Sequence, residues 1–246
     1  MPGISLTARR LGCAAAVVAY ATGGTTHASV VMNSTRYVYA ADAKEITVKV
    51  SNVGKLPALM QAWIDDGNNA STPEHIDVPF NLTPPISRLE AGKSQTLRVS
   101  YTGGVLPNDR ESQFWINVLE VPPKPQDSGD TSKMQLAFRY RLKLFYRPKG
   151  LAGSADLAPE KLVWRRGADG VLGVDNPTPF YVTLNEARVS VAGDDIEIEP
   201  FAIAPNAHVD VKPAKPVPTA DRVEVHYRSI NDYGGFVPHT KAIKSP

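Results

Sequence analysis

From Met134 to Leu144 every second residue is apolar: Met134, Leu136, Phe138, Tyr140, Leu142 and Leu144. A two-residue period places all six on one face of a pleated strand and puts Arg139, Arg141 and Lys143 on the other. A helix cannot gather either set on one side. Shorter runs repeat the signal. Ile46, Val48 and Val50 alternate with Thr47 and Lys49, and Leu97, Val99 and Tyr101 alternate with Arg98 and Ser100. Ala58 to Ile64 is another strand, and the nearly continuous apolar run Phe114 to Leu119 reads as a central one. Trp63, Trp115 and Trp164 lie in such runs and read as core. The 21 prolines limit long helices.

These strands end at Tyr146-Arg147-Pro148 and predict one β-sandwich. Lys149 to Pro159 is rich in Gly, Ala and Pro, has no period, and reads as a linker. A second set follows: Leu162 to Trp164, Val171 to Val174, Phe180 to Leu184, Val189 to Val191, Ile196 to Ile198, Val209 to Val211 and Val223 to Tyr227. The expectation is an all-β chain with sandwiches over 29–148 and 160–246, a linker over 149–159, and a cleft between them. Clefts between domains are frequent binding sites.

Residues 1–28 read as an export signal. Arg9 and Arg10 precede an apolar stretch from Leu11 to Ala21, which is too short for a membrane helix, and Thr26-His27-Ala28 resembles a cleavage site. The mature chain is expected to begin near Ser29. The segment takes away the only cysteine, Cys13, and two of the 27 basic residues that face 25 acidic ones. The remainder is balanced, so net charge points to no nucleic-acid partner. With no thiol, cysteine catalysis and zinc–thiolate sites are excluded. His75, His208, His226 and His239 are not spaced as metal ligands on one element, and nothing matches a nucleophile elbow, a phosphate loop or a dinucleotide fingerprint. No metal, cofactor or catalytic residue is expected. Asp65-Asp66 and Asp194-Asp195 read as solvated turn charges.

The long alternation has two readings. It can be an edge strand whose arginines and lysine guard against aggregation, or a strand that offers backbone and apolar side chains to another protein. Pattern alone favours the first.

Five stretches bear on that choice. Lys143-Leu144-Phe145-Tyr146-Arg147-Pro148 closely resembles the periplasmic chaperones of the chaperone–usher pathway, which assemble pili and fimbriae. Pro84-Pro85-Ile86-Ser87-Arg88-Leu89-Glu90, Leu106-Pro107-Asn108-Asp109-Arg110-Glu111-Ser112, Asn176-Pro177-Thr178-Pro179-Phe180-Tyr181-Val182 and Ile230-Asn231-Asp232-Tyr233-Gly234-Gly235 are similar to further stretches of that family, in family order. The resemblance implies two immunoglobulin-like sandwiches in a boomerang, and a periplasmic protein that is not an enzyme. Its expected partners are pilus or fimbrial subunits and an outer-membrane usher. The mechanism implied is donor-strand complementation, in which the chaperone fills the gap left by a subunit's missing strand. By position, Arg36 and Lys143 look like the pair that grips a subunit's C-terminal carboxylate. Met134, Leu136 and Phe138 look like the apolar anchors of the donated strand, with Tyr140 and Leu142 assigned to neither partner. Glu111, Arg147 and Asp232 match a charged cluster that links the domains. An exposed apolar edge also favours self-association of the free protein.

Two other classes compete. A fibre subunit or adhesin would have one incomplete sandwich and an N-terminal donor extension, often with a disulfide. A secreted enzyme or carbohydrate-binding module would need a catalytic or aromatic constellation that the sequence does not offer.

Overall fold

A computed structural model describes residues 29–74, 76–123, 135–167, 170–220 and 223–243. The described residues form β-strands throughout, apart from one 3-10 turn at Pro159–Lys161. The first sandwich contains β1 (Val30–Met32), β2 (Arg36–Ala40), β3 (Ile46–Asn52), β4 (Ala58–Asp65), β5 (Phe80–Thr83), β6 (Ile86–Leu89), β7 (Ser94–Tyr101), β8 (Ser112–Val121) and β9 (Phe138–Arg147). One sheet runs β1-β3-β7-β5 and the other β2-β9-β8-β4-β6. The chain thus changes sheet between β1 and β2, and β2 lies parallel to β9 while the other pairings are antiparallel.

Between the sheets lies a core that includes Val48, Val50, Met60, Leu97, Val99, Ile116, Val118 and Leu144, each sealed from solvent. The alternation on β9 is the reason: Leu142 and Leu144 face inward, so Arg141 and Lys143 must face out. β1, β2, β5 and β6 are too short to announce themselves by period. Asn52 and Asn176 do the same work in the two sandwiches. Each is buried at a strand's end, with its amide donating to two carbonyls: Leu56 and Leu89 at 2.8 and 2.9 Å, and Phe180 and Ala204 at 2.7 and 3.0 Å.

The second sandwich holds β10 (Val163–Arg166), β11 (Leu172–Asn176), β12 (Val182–Val191), β13 (Asp194–Ile198), β14 (Phe201–Ile203), β15 (Ala207–Val211), β16 (Glu224–Ile230) and β17 (Phe236–Ala242). β10-β11-β15 make one sheet; β13-β12-β16-β17, with β14 beside the start of β12, make the other. Here the sequence reading needs correction. Its strands Phe180–Leu184 and Val189–Val191 belong to the single strand β12. The register against β16 shifts between Leu184 and Glu186, a bulge. One extra residue flips parity, so Val182 and Leu184 share the buried face with Ala187, Val189 and Val191. A strict two-residue count breaks the strand at that point. β17, which has exposed residues along most of its length, gave no apolar signal.

Three more expectations change. Strand β9 begins at Phe138 rather than Met134, which lies outside the described residues. The stretch 149–159 is not a free linker: Ala158 is buried, and Leu151 and Ala155 pack on the second core. Trp63 and Trp164 are buried as expected, but Trp115 is half-exposed on the outer face of β8.

Leu144 is fully buried between the sheets. Leu144→Ala should therefore destabilise the protein by about 2–5 kcal/mol, read from a lower denaturant midpoint at unchanged slope.

Candidate functional site: a cationic cleft beside an open strand edge

The parallel pairing of β2 with β9 sets Arg36 opposite Lys143. Tyr37 and Tyr39 fill the core from β2, as Leu142 and Leu144 do from β9, so the two cations share the other face. That face meets the second sandwich. Arg36 is only 6% exposed, and its Nη1 donates to the Ile230 carbonyl at 2.8 Å. The Lys143 Nζ donates to Thr183 Oγ1 at 2.9 Å. Among the described residues neither makes an ion pair, and the buried Arg36 Nε has no hydrogen-bond partner.

Two like charges in a half-dry site disfavour each other. Burial, and then the Arg36 charge, push the Lys143 ammonium down to about 8. Burial also lowers Arg36, against a smaller opposing pull from Asp232. A cavity of about 220 Å³ opens beside Arg36, bounded by Thr183, Ile230 and the acidic Glu111, Asp156 and Asp232. Arg36 is the one cation that lines it among the described residues, and its own hydrogen-bond partner is a neutral carbonyl.

Glu111, Arg147 and Asp232 come together at the same junction. Arg147 Nε donates to Glu111 Oε1 at 2.6 Å, and its Nη1 and Nη2 donate to the two oxygens of Asp232 at 2.7 and 3.0 Å. The second oxygen of Glu111 accepts from the Tyr181 backbone N–H at 2.8 Å, and the Glu111 N–H donates to the Pro179 carbonyl at 2.9 Å. Arg147 therefore ties the last residue of β9 to the loop after β16, while Glu111 ties the approach to β8 to the approach to β12. Burial raises the Glu111 carboxyl, and Arg147 only partly offsets this. Burial works against the Arg147 charge, but Asp232 and Glu111 outweigh it and hold the guanidinium well above its ordinary range.

The donated-strand residues divide. Over Phe138–Leu142 strand β9 pairs with β8 alone among the described residues, because β2 reaches only Lys143–Arg147. Its other edge is open there. Exposure falls along the even positions: Leu136 is 45% exposed, Phe138 and Tyr140 are half-buried, and Leu142 and Leu144 belong to the chain's own core. Met134 cannot be placed on this gradient.

The outward face of β9 carries a further cluster. Asp65, read from sequence as a solvated turn charge, is 1% exposed. It accepts from Arg141 Nη2 at 2.7 Å, Arg139 Nη2 at 3.4 Å and Asn117 Nδ2 at 2.7 Å. The Arg139 guanidinium stacks over Trp63 at 4.8 Å, and the Arg141 guanidinium and the Lys143 ammonium lie over Trp115 at 4.6 and 5.7 Å. A charge at the end of an apolar run looks like a turn until a neighbouring strand brings cations to it. Thr183 was equally silent: a hydroxyl beside Val182 on β12 has no signature of its own.

Comparison with known proteins agrees with this geometry. Residues 29–152 match the family profile described as "Pili and flagellar-assembly chaperone, PapD N-terminal domain", and residues 157–241 match "Pili assembly chaperone PapD, C-terminal domain". The chain is 45% identical over 241 residues to the chaperone protein FimB/FhaD of Bordetella pertussis, covering 96% of this chain and 97% of that protein. Among solved structures it is similar to the YadV chaperone, with a TM-score of 0.77, 39% identity, and coverage of 87% of this chain and 100% of the other. It is also similar to a Salmonella enterica SafA pilin–SafB chaperone complex, with a TM-score of 0.75, 30% identity, and coverage of 89% and 98%.

Removing the Arg147 head group leaves Glu111, 3% exposed, as an unpaired buried carboxylate. Arg147→Met should cost about 3–5 kcal/mol in unfolding free energy and broaden the distribution of interdomain distances seen by small-angle scattering.

Proposed function

The chain belongs to the PapD-like family of periplasmic pilus and fimbrial assembly chaperones, and from that premise we propose that Arg36 and Lys143 hold the C-terminal carboxylate of a fibre subunit while the open edge of β9 completes that subunit's fold. The protein is a non-catalytic periplasmic chaperone that acts by donor-strand complementation. Interactions with subunits and an usher are typical of its family. For this chain, the finer reading is that sandwich 29–148 lends the strand, sandwich 160–246 closes the cleft over the anchored carboxylate, and the complex passes to an outer-membrane usher.

One observation carries it: the buried Arg36 and the partly buried Lys143, neither in an ion pair among the described residues, sit in register beside the only stretch of β9 that lacks a neighbour on one side among the described residues. Hydrogen bonds to charged groups contribute about 1.5–3 kcal/mol each, and an incoming carboxylate would bring an ionised acceptor to donors that now face a neutral carbonyl and a hydroxyl. Leu136 and Phe138, with Met134 ahead of them, serve as the apolar anchors. Each contributes roughly 1.5–3 kcal/mol if fully buried in the subunit. Glu111, Arg147 and Asp232 fix the interdomain angle so that the anchor and the open edge address one ligand together.

The proposal predicts a pH dependence. The Lys143 ammonium of the free protein sits at about 8, and pairing with a carboxylate raises it, so binding takes up a proton at alkaline pH. Subunit capture should weaken as pH climbs through that value. Lys143→Ala and Arg36→Ala should leave both sandwiches folded by circular dichroism. Co-purification from the periplasm with the fibre subunits should then be lost, and any residual binding by Lys143→Ala should no longer weaken across that range. Normal recovery of complex with Lys143→Ala would rule out the anchor.

A further inference from the structure

Strand β8 turns Phe114, Ile116 and Val118 into the first core, and the next position of the same parity is Glu120, only 4% exposed. A carboxylate at a core-facing position needs a partner. No ion pair among the described residues includes it. The Tyr140 hydroxyl faces it from β9, and its oxygens converge on the start of β1. Oε1 accepts from the Ser29 backbone nitrogen at 3.1 Å and from the Ser29 hydroxyl, and Oε2 accepts from the Val30 N–H at 3.1 Å.

Ser29 sits in a fitted seat. Its carbonyl accepts from the Val53 N–H at 2.8 Å. A Cβ on Gly54 would come within 2.4 Å of the Ser29 Cβ, so position 54 has room for glycine alone. Val30 is wholly buried. The seat thus holds the residue that directly follows the cleavage-like Thr26-His27-Ala28.

We propose that export processing cuts the chain between Ala28 and Ser29, and that the new α-ammonium pairs with Glu120 to fasten β1 in its sheet. Hydrolysis adds the hydroxyl of water to the Ala28 carbonyl carbon and its hydrogen to the Ser29 nitrogen, which takes up a proton from solvent. A neutral amide donor becomes a cation at the place where a buried carboxylate lacks one. The precursor and the mature protein share every other contact of Glu120, so processing itself strengthens the first sandwich. The inference rests on the periplasmic reading of the chain, but its test needs no subunit.

Intact mass of the protein recovered from the periplasm should place Ser29 first; any other first residue overturns the proposal. Thermal unfolding of the mature protein is then compared with a form bearing one extra glycine ahead of Ser29, each with Glu120 and with Glu120→Gln. The extension should lower the folding equilibrium constant about tenfold when Glu120 is present and less than about twofold with Glu120→Gln. Equal effects in the two backgrounds, or none, refute the pair. Should Glu120→Gln not fold, the mature protein's own α-amine decides. Pairing keeps it protonated well above its ordinary range of about 7.7–8.0, and titration within that range refutes the pair.

Discussion

Two positive charges held side by side in a half-dry cleft set the terms for the rest of the molecule. Arg36 and Lys143 are brought into register by the parallel β2–β9 pairing, and the second sandwich covers them with a carbonyl and a hydroxyl rather than a carboxylate. Stability alone would select an acid there, since burying unpaired cations is costly. The second domain covers the pair without forming an ion pair with it, which is the arrangement that the proposed carboxylate anchor needs. On the proposed reading that arrangement requires a fixed interdomain angle, which the strong contacts of Arg147 at the junction would supply.

An open strand edge carries the opposite risk, fraying or pairing at random. Over Phe138–Leu142 the backbone of β9 is held from one side only among the described residues. Its outward side chains make up the difference. Arg139 and Arg141 reach across β8 to Asp65 on β4, and Trp63 and Trp115 lie beneath the cations. The same charges that discourage edge-to-edge aggregation keep the strand extended. The guarded-edge reading and the lending-strand reading of the alternation therefore describe two properties of one strand.

Much of this was legible in the chain. The period over Met134 to Leu144 named the strand and its two faces, and the stretch Lys143 to Pro148 named the family with Arg36, Lys143, Glu111, Arg147 and Asp232 as places to look. What stayed hidden follows a common rule: features made by pairing leave no local trace. Asp65 resembles a turn acid until β9 supplies Arg141. Thr183 resembles any strand threonine until the second sandwich swings it over Lys143. The bulge in β12 breaks the two-residue count, so one strand looks like two. β1 and β2 are three and five residues long, below the length at which alternation can be told from chance.

The even face of β9 joins these observations. Moving from Leu136 to Leu144, its side chains pass from exposed to half-buried to sealed within the first core. From Phe138 onward the gradient runs along one continuous strand, so the strand's own core fixes the position and twist of its half-buried part. Lys143 falls where β2 begins to cover the edge, so the proposed carboxylate anchor would lie at the end of the open stretch. A subunit held by its terminal carboxylate at that point can extend its final strand only along the uncovered backbone, in one register, because sliding by a single residue would turn its apolar side chains away from the gap. On the proposed reading the cation pair would set the register as well as the grip, and the apolar anchors would need only to be hydrophobic and correctly spaced. A chaperone built in this way can serve subunits that differ in their core side chains but share a chain terminus at the same distance from their missing strand.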